Sequence, residues 1–178
     1  KFIGQENILD AEVFFDKISN NKIKQNEVCF TFDDAIKCQI DVALPILEDL
    51  KIKSYFFIYT SIFDEKPDYL EIFRYFRMNY FSSINEFYSI FFDSIDYDLE
   101  SYFDDQKSLI NIKKERYNFY TYEDIKFRIV RDYLLGKDNY EKYMFKIMDS
   151  MKFDHNEVIP KLFFEKDDIV MLDNLGHK

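Results

Sequence analysis

The sequence predicts an α/β fold: one parallel βαβ unit near its N-terminal end, followed by a large, mainly helical segment. Three observations predict it. Two short apolar runs, VCFTF (28–32) and SYFFIY (54–59), read as strands. The stretch between them, QIDVALPILEDL, repeats its apolar residues at helical spacing, and the whole has about the length of a βαβ unit. From Pro67 to about Phe164 the periodicity is nearly all helical.

Taken in order, ILDAEVFFDKISNN reads as a short helix. Asp10 is its expected N-cap, Phe14, Phe15 and Ile18 its apolar stripe, and Asn20-Asn21 its end. Val28–Phe32 is continuously apolar, as a strand covered on both faces should be, and Cys29 within it is expected in the core. The next helix turns Ile40, Ala43, Leu44 and Leu47 inward, and Pro45 is expected to kink it. Pro67 suits the first turn of PDYLEIFRYFRMNY, and Ser83 with Glu86 forms a capping box ahead of FYSIFFDSI. Thr121 starts a long helix that Gly136 ends. YEKYMFKIMDSMKF and a short helix around EVIPKLFF follow, whereas the acidic, poorly periodic stretch from Asp93 to Arg116 reads as a loop. The closing EKDDIVMLDNLGHK is an amphipathic helix with Ile169, Leu172 and Leu175 inward, capped by Gly176.

Composition narrows the function. The 178 residues are 47% hydrophobic and 33% charged, the balance of a soluble globular chain with a proper core. A net charge of -10 argues against nucleic acid and against a polybasic membrane patch. The apolar segments are too short and too often broken by charges to span a bilayer. The chain begins at Lys1 rather than Met, so the natural start is expected upstream; secretion stays open, with a cytoplasmic location slightly favoured. Cys29 and Cys38 make no disulfide framework, and Cys38 has no partner at ligand spacing. The 21 Phe and 14 Tyr, beside abundant Ile, Asn and Lys, read as a coding bias rather than as sugar-binding platforms.

The first strand ends in Asp33 and Asp34. In parallel α/β sheets ligands bind at the carboxyl ends of strands, and two adjacent carboxylates repel unless a proton or a cation intervenes. Such a pair can divide its labour, one carboxylate binding a metal and the other accepting a proton from water. The ordinary alternative is a helix cap beside a solvated acid.

FTFDDA, followed by ALPILEDLKIKSYFFIYTSIF, resembles the first motif and second strand of the polysaccharide deacetylase (NodB-homology) family, carbohydrate esterase family 4. The upstream ILDAEVFFDKI and the terminal MLDNLGHK are similar to the helix before that motif and to the lead-in to the family's second motif. The resemblance covers residues 7–63 and, more weakly, 166–178. It implies a partial (β/α) barrel of deacetylase type: residues 1–63 as its N-terminal part, 64–165 as a helical insertion, and 166–178 as the return to the barrel. It implies Asp33 as the catalytic base and Asp34 as a ligand of a divalent metal, Zn²⁺. The other ligands would be histidines of an H-(S/T)-x-x-H motif expected beyond Lys178. His177 matches a position that is not a ligand, and His155 is expected on the surface of the insertion. Ala35 stands where the family has Gly, which removes freedom for positive φ. The implied activity is metal-dependent removal of N-acetyl groups from an acetylated glycan or a lipid-linked saccharide, with the present chain inactive by itself. The alternative is a non-catalytic deacetylase-fold module that binds or scaffolds in surface polysaccharide assembly. A receiver-type phosphoryl-transfer domain also carries an acidic pair after its first strand. The long helical run after the second strand argues against it.

Overall fold

The structure is a computed structural model describing residues 3–64, 67 and 69–178. It divides into two compact units, Lys1–Asp68 with Asn156–Lys178, and Tyr69–His155. The first unit is α/β. Helix α1 (Ala11–Ser19) precedes strand β1 (Thr31–Asp33), and a π-helical stretch (Gln39–Ala43) passes into helix α2 (Leu44–Leu50) before strand β2 (Tyr55–Phe57). The two strands are parallel, as the sequence predicts, with Thr31 opposite Tyr55 and Asp33 opposite Phe57.

Strand β1 is shorter and more open than expected. Val28 makes only an isolated parallel bridge with Ile8, Phe30 is 42% exposed, and Cys29 is half-buried rather than a core residue. In α1 only Ala11 is buried, whereas Phe15 and Ile18 face solvent. The helix is held by its start instead: Lys53 N–H donates to the Asp10 carboxylate at 2.7 Å, so Asp10 ties α1 to the approach to β2 rather than capping its own helix. Pro45 lies in the first turn of α2, and the π-to-α change occurs just before it.

The core of this unit joins Ala35, Ile40, Leu44, Leu47, Ile52 and Phe56 to Phe164 and Leu172. The latter two come from the end of the chain, where helix α9 (Ile159–Leu162) leads to helix α10 (Lys166–Asn174). Leu172 is buried, Ile169 and Leu175 pack beside it, and Gly176 takes φ +84 after the helix. Lys178 then pairs along β2 on the edge away from β1. Its N–H donates to the Ser54 carbonyl (3.1 Å), and its carbonyl accepts from Phe56 N–H (2.6 Å). That is the bonding pattern of a parallel neighbour.

The second unit is helical: α3 (Tyr69–Asn79), α4 (Ile84–Asp93), α5 (Leu99–Asp105), α6 (Lys107–Arg116), α7 (Tyr122–Ile129, continuing as a π-helical Val130–Leu135) and α8 (Gly136–Ser150). The stretch from Asp93 to Arg116, expected as a loop, holds α5 and α6. Asp98 caps α5 by accepting from Ser101 N–H, and local capping with helix-forming Lys and Glu outweighs the weak apolar periodicity. Ser83 and Thr121 cap α4 and α7 as expected, although the Glu86 carboxylate accepts from Ser82 N–H rather than from Ser83. Gly136, at φ +65, separates the π-helical turn from α8 and opens the new helix. The many aromatics form the interior: Phe73, Phe76, Phe87, Phe91 and Phe127 are all within 1% of full burial. Phe127 meets the rings of Phe87, Tyr88, Phe91 and Tyr140 at 5.0–6.1 Å. His155 is half-buried against Tyr69 and Phe145, a packing residue rather than a free surface one.

Candidate functional site

Asp33 is the last residue of β1 and Asp34 the first of the following turn, and both are solvent-exposed. Asp34 N–H donates to the Phe57 carbonyl at 3.1 Å, extending the strand pairing by one bond. The chain then reverses through two consecutive left-handed residues, Asp34 (φ +71) and Ala35 (φ +52). Asp tolerates this conformation and Ala resists it. Ala35 is 1% exposed, so its methyl group packs into the core while its backbone turns.

Several contacts hold the turn. Gln39 Nε2 donates to the Asp33 carbonyl at 2.5 Å. Phe164 N–H donates to the Ala35 carbonyl and Lys37 N–H to that of Leu162, at 2.9 and 2.7 Å. Lys37 Nζ reaches both carboxylate oxygens of Asp168 on α10, at 2.9 and 2.6 Å. The hydrogen bond to Asp168 raises the Lys37 pKa above the ordinary lysine value. None of these supports is legible in the sequence, because Lys37 and Asp168 are far apart along the chain. The Asp33 and Asp34 side chains make no hydrogen bond or ion pair among the described residues.

A metal fits this arrangement only in part. The two carboxylates are hard oxygen donors, but the described residues contain no group of three or more His, Cys, Asp and Glu positioned to hold an ion. They do not complete a zinc centre by themselves. Cys38 is exposed. His177 is 2% exposed, and both its ring nitrogens are engaged: Nδ1 accepts from Ser54 N–H (3.1 Å), so the proton sits on Nε2 and faces Glu48 Oε1 at 3.0 Å. The Glu48 carboxyl is held below its ordinary value by its bond to Lys53, and further by His177.

Compared with known proteins, the chain matches no family model, no curated protein and no solved structure. No helix among the described residues is long and apolar enough to cross a membrane.

Proposed function

We propose that this chain belongs to a metal-dependent hydrolase that removes N-acetyl groups from a carbohydrate. The observation that carries the reading is the Asp33–Asp34 pair, exposed and unpaired among the described residues, at the carboxyl end of the first of two parallel strands. The parallel bonding of Lys178 to the far edge of β2 supports a sheet built on the β1-β2 order, as in a (β/α) barrel.

Asp33 is the general base. It takes a proton from a water whose oxygen adds to the acetyl carbonyl carbon, the C–N bond breaks, and the proton passes to the departing nitrogen. The products are acetate and an amino sugar. Asp34 is assigned to the divalent cation, Zn²⁺ by resemblance. The remaining ligands are not among the described residues, so the chain alone should bind zinc weakly. An acetylated glycan or a lipid-linked saccharide is the proposed substrate.

The test uses the natural protein that contains this chain, with bound zinc and acetate release from an acetylated amino-sugar oligomer as the readouts. Asp33→Asn should keep the metal and lower the rate by about 10²–10⁴-fold, because Asn retains the shape but accepts no proton. Asp34→Ala should lose the metal. The opposite pattern would reverse the two roles. A parent protein that binds the oligomer yet releases no acetate would instead establish the non-catalytic scaffold.

A further inference from the structure

The chain is strongly acidic, yet its helical unit gathers four arginines around one cavity of about 270 Å³. Arg74 and Arg77 stand one turn apart on α3, and Arg128 and Arg131 one turn apart across the end of α7; Leu70, Tyr120 and Tyr140 complete the wall. Arg74 is paired with Glu71 (2.6 Å), and Arg131 makes a two-point contact with Asp132 (2.6 and 3.1 Å). Arg77 and Arg128 have no carboxylate partner among the described residues, and the Nε of each is buried without a hydrogen bond.

Their guanidinium groups are held by aromatic faces. Arg77 lies 5.1 Å from the Phe127 ring centre and Arg128 lies 4.1 Å from that of Tyr120. Among the described residues, two of the four guanidiniums around the cavity therefore stand without a carboxylate partner. Desolvation lowers the Arg77 pKa, with repulsion from Arg128 and Arg131 adding to it, but guanidinium does not discharge in a protein. Burial pushes the Tyr140 hydroxyl up to about 12, so it remains a neutral donor among these cations. A partly buried cation without a counter-charge still carries a desolvation cost, and arginine cannot escape it by losing a proton. The fixed, ring-backed forks match the oxygens of a phosphoryl group.

We propose that this cavity is a binding site for a phosphoryl group on a small molecule, held by Arg77 and Arg128 with Arg74, Arg131 and Tyr140 around them. A dianion matches the two unpaired guanidiniums, whereas a monocarboxylate leaves one unmatched. The volume lies just below the range of drug-sized pockets, which admits a phosphate or a small phosphate monoester and excludes a large ligand. This inference stands apart from the hydrolase reading, because it uses only residues of the helical unit.

The experiment titrates the 178-residue chain at constant ionic strength with inorganic phosphate, a sugar phosphate, or acetate, following heat and melting temperature. Phosphate should bind saturably and raise the melting temperature, acetate should not, and a tighter sugar phosphate would identify an ester as the ligand. Arg77→Met and Arg128→Met should each weaken phosphate binding by about tenfold or more, the loss of one charged hydrogen-bonding partner. In phosphate-free buffer both variants should melt no lower than the parent, because each removes a repelling charge and keeps an apolar stem. Equal response to acetate and phosphate would overturn the phosphoryl assignment. Absence of saturation by phosphate, or variants that melt lower yet bind phosphate as the parent does, would make the arginines packing groups and overturn the site.

Discussion

Ala35 adopts a left-handed backbone conformation while burying its methyl group, a combination that costs about 1–2 kcal/mol for an L-residue. The core contact of the methyl offsets part of that cost, which explains how the turn after the aspartates tolerates a residue other than Gly. His177 illustrates the opposite case, a polar residue buried with its ring nitrogens satisfied. His177→Ala leaves the Ser54 N–H without its acceptor and opens a cavity beside Phe56, so a loss of about 2–4 kcal/mol is expected in denaturant unfolding. The neighbouring Glu48 has a folded pKa below its unfolded value. Its contribution is present above the unfolded value near 4.5 and is lost as pH falls through the lower folded value. Glu48→Gln should therefore lower stability at neutral pH and converge with the parent as pH falls through the folded value, which flattens the acid limb of the stability–pH curve.

At the scale of elements, the turn carrying the aspartates is not held by β1 alone. Its far side is pinned by the chain between α9 and α10, and by the Lys37–Asp168 pair. Asp168 also accepts from Glu165 N–H (2.8 Å) in a reciprocal cap, so one carboxylate both starts α10 and ties it to the turn. Lys37→Met should cost about 1–3 kcal/mol, below the full cost of breaking a wholly buried pair because Lys37 keeps some solvent contact. The raised Lys37 pKa sets the sign with pH. The stabilisation is complete below the unfolded value near 10.5 and is lost as pH rises through the higher folded value. Parent and variant melting curves should converge at strongly alkaline pH.

At the scale of the whole molecule, two compact units carry two different kinds of interior. The first is aliphatic with a few aromatics, built around β2, α2 and α10. The second is organised around stacked and edge-on rings, with Phe127 touching several rings and carrying Arg77 and Arg131 over its face. Phe127→Ala should cost about 3–5 kcal/mol and lower amide-exchange protection through α4, α7 and α8. The same substitution removes the surface that orients Arg77.

The sequence by itself determined the parallel βαβ unit, the place of Asp33 and Asp34 at its end, and the helical nature of the middle segment outside 93–116, where weak apolar periodicity hid α5 and α6. These depend on local periodicity and on strand–helix–strand length, both of which are written in consecutive residues. It also carried the spacing of the arginines in RYFR and RIVR, whose one-turn separation is visible in the sequence. Tertiary structure alone decided which apolar stripes are buried: Phe15 and Ile18 of the α1 stripe remain exposed, because burial depends on what lies opposite a face. It also decided the left-handed turn at Ala35, the engagement of His177 with Ser54 and Glu48, and the convergence of four arginines on one cavity. Each of these depends on partners distant in the chain, and no local pattern encodes the distance between them.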